Sequence, residues 1–360
     1  MRLSELSNNQ TGLITRVYGR GAFRKRITEM GFIKGKNVEE MRNGPLQDPV
    51  EYRVMGYNVS LRRSEAHLVE VIPGEDYRLD TAPIYEIEEG GENSYPYIER
   101  KGRVINVALV GNPNSGKTSL FNHASGSHER TGNYSGVTIG AREAFIIHEG
   151  YRISMVDLPG TYSITEYTPE ELFVRTQILE HGPDVVINVI DASNIERNLY
   201  LTTQLMEMNV RVLIALNLYD ELVRKGTKLR YAELGKLLGI PIIPTVAVKG
   251  TGIPELLSKT VEVFEGRNTV SRPVRISYGK TVEEALQALE REIMGENILP
   301  PGISARYLSI KLHENDKSPT DILRGFENSS AIMDLAARER NRVGKEFGEE
   351  PETVIADSRY

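Results

Sequence analysis

The stretch GNPNSGKTSLFN, residues 111–122, decides the fold of this chain. Its first eight residues fit G-x-x-x-x-G-K-[ST], in which successive backbone N–H groups and a helix N-terminus surround phosphate oxygens. Gly111 and Gly116 allow the backbone turns, Lys117 reaches the outer phosphates, and the Thr118 hydroxyl reaches magnesium. An apolar run precedes the loop and a helical stretch follows it, which is the context the motif requires. The stretch therefore predicts a phosphate-binding loop.

Outward from this loop, apolar runs alternate with helical stretches as far as residue 267. The runs, too short for buried helices, lie at 105–110, 152–157, 184–191, 210–217 and 240–247. The helical stretches lie at 118–124, 169–181, 196–208, 231–238 and 253–264. This alternation predicts an α/β P-loop fold, a mostly parallel sheet with helices on both faces. Ligands of such sheets bind beyond the carboxyl ends of the strands.

Two further motifs suit phosphate and magnesium chemistry. DLPG, residues 157–160, ends a predicted strand, where Asp157 can hold magnesium through water and the Gly160 N–H can sense a terminal phosphate. TGNYSGVT, residues 131–138, has the composition of a mobile switch loop and offers Thr138 as a second hydroxyl for magnesium. Taken alone, the second stretch also fits a plain surface loop.

The motif NLYD closes the fourth apolar run and points to guanine. The Asp220 carboxylate can accept two hydrogen bonds from guanine N1–H and its amino group, a pair that adenine lacks. Asn217 is expected to tie the loops together, and Leu218 replaces the lysine that usually stands between the two. The later stretch TVAVKGTG should contact the base through the backbone at Ala247 and Val248.

Together these motifs follow the order found in GTPases. The residues expected to contact nucleotide are Gly111, Asn112, Pro113, Asn114, Ser115, Gly116, Lys117, Thr118, Ser119, Gly136, Val137, Thr138, Asp157, Leu158, Pro159, Gly160, Asn217, Leu218, Asp220, Ala247 and Val248. Thr161 stands where many GTPases carry a water-orienting glutamine, so glutamine-dependent hydrolysis is not available at that position.

The flanking regions have different patterns. Residues 1–73 combine one apolar helical face with several short alternating strands and predict a small SH3-like β-barrel. Residues 74–102 are acidic, contain prolines and lack periodicity, which is typical of a linker. Residues 268–347 predict an appended helical subdomain, and residues 348–360 form a short tail.

Composition excludes several classes of function. The chain has 360 residues and a net charge of -6, which gives no electrostatic reason to expect nucleic acid as a partner. It has no cysteine, and its six histidines show no helical i, i+4 pair, so no metal site built on these residues can be read. No apolar run approaches the ~18 residues of a membrane span.

GNPNSGKTSLFN, GNYSGVT, DLPGTYS and N-x-x-D together closely resemble the bacterial ferrous iron transport protein B family. The resemblance covers residues 103–347, the GTPase and helical domains of that family, and the final IADSRY resembles its segment before the membrane domain. RGAFRKRITEMGFIKGKNV makes residues 1–73 similar to ferrous iron transport protein A, here fused to the rest.

The resemblance implies GTP/GDP, Mg²⁺ and K⁺ as cofactors. Magnesium ligands would be Thr118, Thr138 and Asp157, and Asn114 would be a potassium ligand, as in GTPases with asparagine at this position. The implied catalytic residues are Asn114, Lys117, Thr138 and Gly160. A simpler role for Asn114 is to brace the loop by hydrogen bonds.

The resemblance also implies a location on the cytoplasmic side of the bacterial inner membrane and a membrane-embedded permease domain as partner. A homo-oligomer, and an intramolecular contact between residues 1–73 and the GTPase or helical region, are both compatible with the sequence. Two alternatives remain open: a GTPase acting in RNA or ribosome assembly, and a binding module whose GTPase domain only reports the nucleotide state.

Overall fold

The computed structural model describes residues 1–19, 22–43, 48–74, 88–89, 103–126, 129–130, 141–165, 168–295, 299–300 and 302–359. The predicted switch loop at 131–138 therefore lies outside the described residues. The chain divides into two compact units, one of Met1–Tyr85 with Arg342–Tyr360 and the other of Glu86–Asn341.

The first unit contains a five-stranded antiparallel sheet in the order β4-β3-β2-β1-β5. Its elements are β1 Thr11–Val17, α1 Ala22–Glu29, β2 Asn37–Asn43, β3 Val50–Val54, β4 Tyr57–Leu61, α2 Arg63–Ala66 and β5 Val69–Pro73. Val50, Tyr52 and Val54 are buried, whereas the intervening Arg53 is exposed, as the period-two pattern predicts. This small sheet agrees with the predicted SH3-like barrel.

The same unit includes the C-terminal residues from Arg342 onward. They comprise the end of α12 Ser329–Phe347 and the helix α13 Pro351–Ser358. Pro351, Ile355 and Ala356 are buried, so α13 packs as part of this unit.

The second unit is built on a seven-stranded sheet in the order β13-β12-β11-β7-β10-β9-β8. Its strands are β7 Val104–Gly111, β8 Glu129–Arg130, β9 Arg142–His148, β10 Tyr151–Asp157, β11 Val185–Asp191, β12 Val212–Asn217 and β13 Ile242–Pro244. The strands from β13 to β10 pair in parallel, and β9 and β8 add an antiparallel edge. Successive residues of the central strands are buried in two different hydrophobic clusters, so both faces of the sheet are covered.

Helices follow the strands as the sequence predicts. They are α3 Lys117–Ser125, α4 Pro169–His181, α5 Ile195–Glu207, α6 Tyr219–Arg224, α7 Tyr231–Leu238 and α8 Ile253–Phe264. The appended helical part contains α9 Lys280–Met294, α10 Ala305–His313, α11 Ser318–Leu323 and the start of α12. The predicted stripe of Val282, Leu286 and Leu289 is buried, and Leu289 joins a cluster that also covers one face of the sheet.

Two short strands were not expected. β6 Glu88–Glu89 pairs with β14 Val274–Arg275, although the first lies in the predicted linker and the second within the predicted helical subdomain. Strands of two residues carry no periodicity from which they could be predicted. Within the described part of the chain, none of the helices combines the length and the apolar character that crossing a bilayer requires.

Candidate functional site

The phosphate loop joins the end of β7 to the start of α3. Gly111 and Gly116 have φ angles of 155° and 85°, and Asn114 has a φ of 66°. A Cβ on Gly116 would lie 2.1 Å from Asn217 Nδ2, so only glycine allows this close approach between two loops. The backbone thus has the strained turns expected of a loop that directs N–H groups inward.

Lys117 and Thr118 both reach the carboxylate of Asp157 at the end of β10. Lys117 Nζ forms an ion pair with Asp157 Oδ1, and each side chain is only 8% exposed. Thr118 Oγ1 donates to Asp157 Oδ2 at 3.4 Å. The structure therefore brings together the three side chains expected at the outer phosphates and at magnesium.

The interior of the loop holds polar atoms that lack partners. Among the described residues, no hydrogen bond is found for the buried Oδ1 and Nδ2 of Asn112 or for Oγ of Ser115. Buried polar groups without partners are rare in proteins, because each costs about 1–3 kcal/mol. These atoms fit a polar ligand seated in the loop, and phosphate oxygens with a hydrated cation have the chemistry to satisfy them.

The remaining residues of the loop are more accessible. Asn114 and Thr118 are exposed, and Pro113 and Ser119 are half-buried. The positive φ of Asn114 is a conformation in which asparagine is enriched, which is a reason for this residue independent of any ligand.

The DLPG segment lies directly against the phosphate loop. A Cβ on Gly160 would be 3.2 Å from the Cα of Pro113, so a small residue is needed at this approach. Leu158 is buried and Pro159 half-buried. Thr161 N donates to Gly111 O at 3.1 Å, and the buried Thr161 hydroxyl donates to Ser163 O at 2.5 Å. Both the backbone N–H and the hydroxyl of Thr161 therefore donate within the protein.

Asn217 makes the bridge between loops that the sequence predicts. Its Nδ2 donates to Ser115 O at 2.8 Å, in the phosphate loop. Its Oδ1 accepts from Ala247 N at 2.9 Å and from Thr245 Oγ1 at 3.3 Å, in the stretch after β13. One buried side chain therefore fixes the phosphate loop relative to the loop expected to contact the base.

The expected base-reading residues are much more open. Asp220 lies in the first turn of α6 and is 41% exposed, and Lys249 Nζ, on a side chain 63% exposed, donates to its Oδ2 at 2.8 Å. This hydrogen bond lowers the pKa of Asp220 and keeps the carboxylate ionised. Leu218 has a left-handed φ of 57°, Ala247 is buried, and Val248 is 71% exposed.

Part of the predicted nucleotide site lies outside the described residues. Gly136, Val137 and Thr138 lie outside the described residues, so the second magnesium hydroxyl is not placed. The described residues contain no group of three or more histidines or acids arranged to hold a metal ion.

Sequence reasoning missed the side chains that hold the segment after DLPG. Glu171 accepts from the hydroxyls of Ser163, at 3.1 Å, and Thr165, at 2.5 Å. Gln204, on α5, accepts from Ile164 N at 2.7 Å. The guanidinium of Arg197, also on α5, lies 4.3 Å from the centre of the Tyr162 ring. No spacing rule links these distant residues, and the only local signal was the buried character of their helices.

Three family models match this chain. Residues 105–260 match ferrous iron transport protein B, residues 1–73 match the FeoA domain, and residues 278–360 match the FeoB cytosolic helical domain. The last match extends through α13.

Two curated relatives match different extents of this chain. A Porphyromonas gingivalis Fe(2+) transport protein A/Fe(2+) transporter FeoB fusion protein is 43% identical over 387 aligned residues, which cover 100% of this chain and 46% of that protein. The Escherichia coli K12 Fe(2+) transporter FeoB is 35% identical over 262 residues, covering 71% of this chain and 32% of that protein. The chain thus spans less than half the length of these relatives.

Solved structures give the same family. A GDP-bound mutant of S. thermophilus NFeoB is 34% identical, with a TM-score of 0.63, and the match covers 71% of this chain and 96% of that one. The cytosolic domain of the T. maritima FeoB iron transporter, in apo form, is also 34% identical, with a TM-score of 0.57 and coverage of 69% and 99%. The chain therefore belongs to the ferrous iron transport protein B family, with a FeoA domain ahead of the family's GTPase domain.

Proposed function

We propose that this chain binds GTP and GDP with magnesium, hydrolyses GTP, and thereby regulates ferrous iron uptake through the membrane domain of a longer protein. The observation that carries the proposal is the convergence of Lys117 and Thr118 on Asp157 at the phosphate loop. S. thermophilus NFeoB mutants bound to GDP, GMPPNP and GDP·AlF4⁻ support the same activity for this chain.

Phosphate binding requires Lys117 to exchange Asp157 for a phosphate oxygen. The exchange is feasible because both partners gain: the lysine meets a more highly charged anion, and the carboxylate is freed for the hydration shell of a cation. Thr118, Asp157 and Thr138 would hold Mg²⁺, which supplies neutralisation of charge on the phosphates. Asn112 and Ser115 would satisfy their buried polar atoms on the same ligand.

Guanine selectivity is assigned to Asp220, with backbone contacts at Ala247 and Val248. The ionised carboxylate accepts from two donors of guanine, whereas an adenine ring presents an acceptor to it. Lys249 must then share or release Asp220 when a base arrives.

Hydrolysis is assigned to a potassium-assisted mechanism through Asn114. Thr161 donates within the protein and cannot orient water as glutamine does. The exposed side chain of Asn114 lies in the loop that surrounds the phosphates, where a neutral oxygen ligand suits a monovalent cation. A cation held there would stabilise the charge that develops between the phosphates, the task for which an arginine in other GTPases is worth ~10³–10⁵ in rate. Lys117, Thr138 and Gly160 complete the proposed catalytic set.

The role in transport is proposed for the longer protein. The partner of this chain would be a membrane-embedded permease domain, and its location the cytoplasmic side of the bacterial inner membrane. The domains would be residues 1–73, the linker 74–102, the GTPase domain 103–267, the helical subdomain 268–347 and the tail 348–360. The relatives named above are iron transporters and do not favour the RNA-assembly alternative.

The test is GTP turnover by the chain in potassium and in sodium at equal ionic strength. We expect faster turnover in potassium, and we expect Asn114→Ala to lose the difference while it still binds GDP. Asn122→Ala removes an exposed asparagine on the adjoining helix and serves as the matched control. Equal native rates in the two salts would show that Asn114 only braces the loop, and absence of turnover in both would contradict the enzyme itself.

A further inference from the structure

The first and last helices of the N-terminal unit pack against each other, although they lie at opposite ends of the chain. Arg24 on α1 points its guanidinium at two carboxylates near α13, with Nη2 at 3.8 Å from Asp357 Oδ2 and at 4.0 Å from Glu349 Oε2. The other side of the guanidinium donates to the Val17 carbonyl oxygen, and the side chain is only 12% exposed. Arg24 thus links β1, α1 and α13.

The ion pairs at this contact are long. Asp357 and Glu349 share one guanidinium at distances longer than a good hydrogen bond, and Asp357 is 28% exposed. Its Oδ1 is buried and has no hydrogen-bond partner among the described residues. A carboxylate placed in this way costs free energy as an ion and much less when it carries a proton.

We propose that α1 is the surface on which the N-terminal domain docks the C-terminal helix α13, and that this docking tightens when Asp357 takes up a proton. The inference is independent of nucleotide binding, because it rests only on contacts within the N-terminal unit. It assigns the FeoA-type domain a binding site at the end of the helical-domain match, which extends to residue 360.

The direction of the pH dependence follows from the groups that act on Asp357. Burial raises the pKa of Asp357, Arg24 and Lys34 lower it, and Glu349 raises it. The net result is a pKa of about 6. An undocked, solvated carboxyl has an ordinary pKa near ~3.9, so the docked form binds the proton more strongly. Docking is therefore strongest below pH ~3.9, weakens as the pH rises from there to about 6, and is constant above that.

The experiment is hydrogen exchange of the full chain at pH values from about 5 to about 7.5, with rates expressed as protection factors for the amides of α1 and α13. The native chain should lose about tenfold in protection of both helices across this range, as the two pKa values imply. Asp357→Asn should keep high protection with no pH dependence. Asp334→Asn, at an exposed aspartate on α12, should behave as the native chain.

Two further variants shift the pKa of Asp357, and with it the pH above which protection is constant, in opposite directions. Arg24→Ala removes the main attractive charge and should raise this pKa while it lowers protection. Glu349→Gln removes the repulsive charge and should lower the pKa. Unchanged protection of β3 and β4 in each variant shows that the barrel remains folded. A native profile without pH dependence, the same profile in Asp357→Asn, or a shift in the same direction for both variants would overturn the proposal.

Discussion

The two ends of the candidate nucleotide site differ in how deeply their side chains are buried. At the phosphate end, Lys117 and Asp157 are each 8% exposed, and the buried Asn217 fixes the loop from the end of β12. At the base end, Asp220 is 41% exposed and Lys249 is 63% exposed, and the two are joined only by a surface ion pair.

This difference assigns separate tasks to the two ends. A preorganised, buried loop supplies affinity, because few side chains remain to be ordered on binding. We propose that the open carboxylate supplies selection between bases, because guanine offers it two donors and adenine does not. Variants at the phosphate end should therefore affect all nucleotides, and variants at the base end should affect the choice among them.

The largest expected effect is at Lys117. Lys117→Ala should weaken GTP and GDP binding by about 10- to 150-fold, since a lost hydrogen bond to a charged group costs about 1.5–3 kcal/mol. It should also destabilise the fold, because Asp157 remains buried without its partner.

The double variant Lys117→Ala with Asp157→Asn separates the effect on stability from the effect on nucleotide binding. Thermal unfolding measures the first and calorimetric titration the second. Stability should recover and nucleotide binding should not. Lys225→Ala, at an exposed lysine, is the control and should change neither quantity. Native-like affinity in Lys117→Ala would mean that the buried pair is purely structural.

A smaller effect is expected at Asn217, which contacts both the phosphate loop and the loop expected at the base. Asn217→Ala removes its hydrogen bonds to two loops, which should cost about 1–3 kcal/mol of unfolding free energy and weaken GTP and ATP alike. Asn268→Ala also removes several hydrogen bonds, but in the turn after α8, and should leave binding unchanged. A loss of affinity confined to guanine nucleotides would place Asn217 at the base end instead.

The smallest effect is expected at Lys249. Lys249→Ala frees Asp220 for the base, and because an exposed ion pair is weak, GDP affinity should rise by no more than about fivefold. The pKa of Asp220 should return toward its ordinary value, which carboxyl NMR titration can measure. A large fall in GDP affinity would show that Lys249 holds the nucleotide instead of competing with it.

Local patterns predicted the phosphate end well. The loop, the strand before it and the helix after it follow from a motif whose glycines have the expected positive φ angles. The alternation of apolar runs and helical stretches gave the parallel part of the sheet, because buried strands are continuous apolar runs.

Features that depend on distant residues could not be predicted. The edge strand β9 and the barrel strands β1 and β2 were missed because their polar residues obscure the alternation. Strand β13 spans only Ile242–Pro244, shorter than the apolar run at 240–247, since prolines cannot continue a ladder. Glu171, Gln204 and the link between Arg24 and α13 depend on tertiary contacts that have no sequence period.

One competition titration measures whether the site selects guanine nucleotides. A fluorescent GDP analogue bound to the chain is displaced by GTP, GDP or ATP. We expect GTP and GDP to displace it at concentrations at least about tenfold lower than ATP, since adenine cannot donate to the ionised Asp220 and a hydrogen bond to a charged group is worth about 1.5–3 kcal/mol. Asp220→Asn should reduce this ratio. Equal displacement of the analogue by ATP and GTP from the native chain would contradict the account.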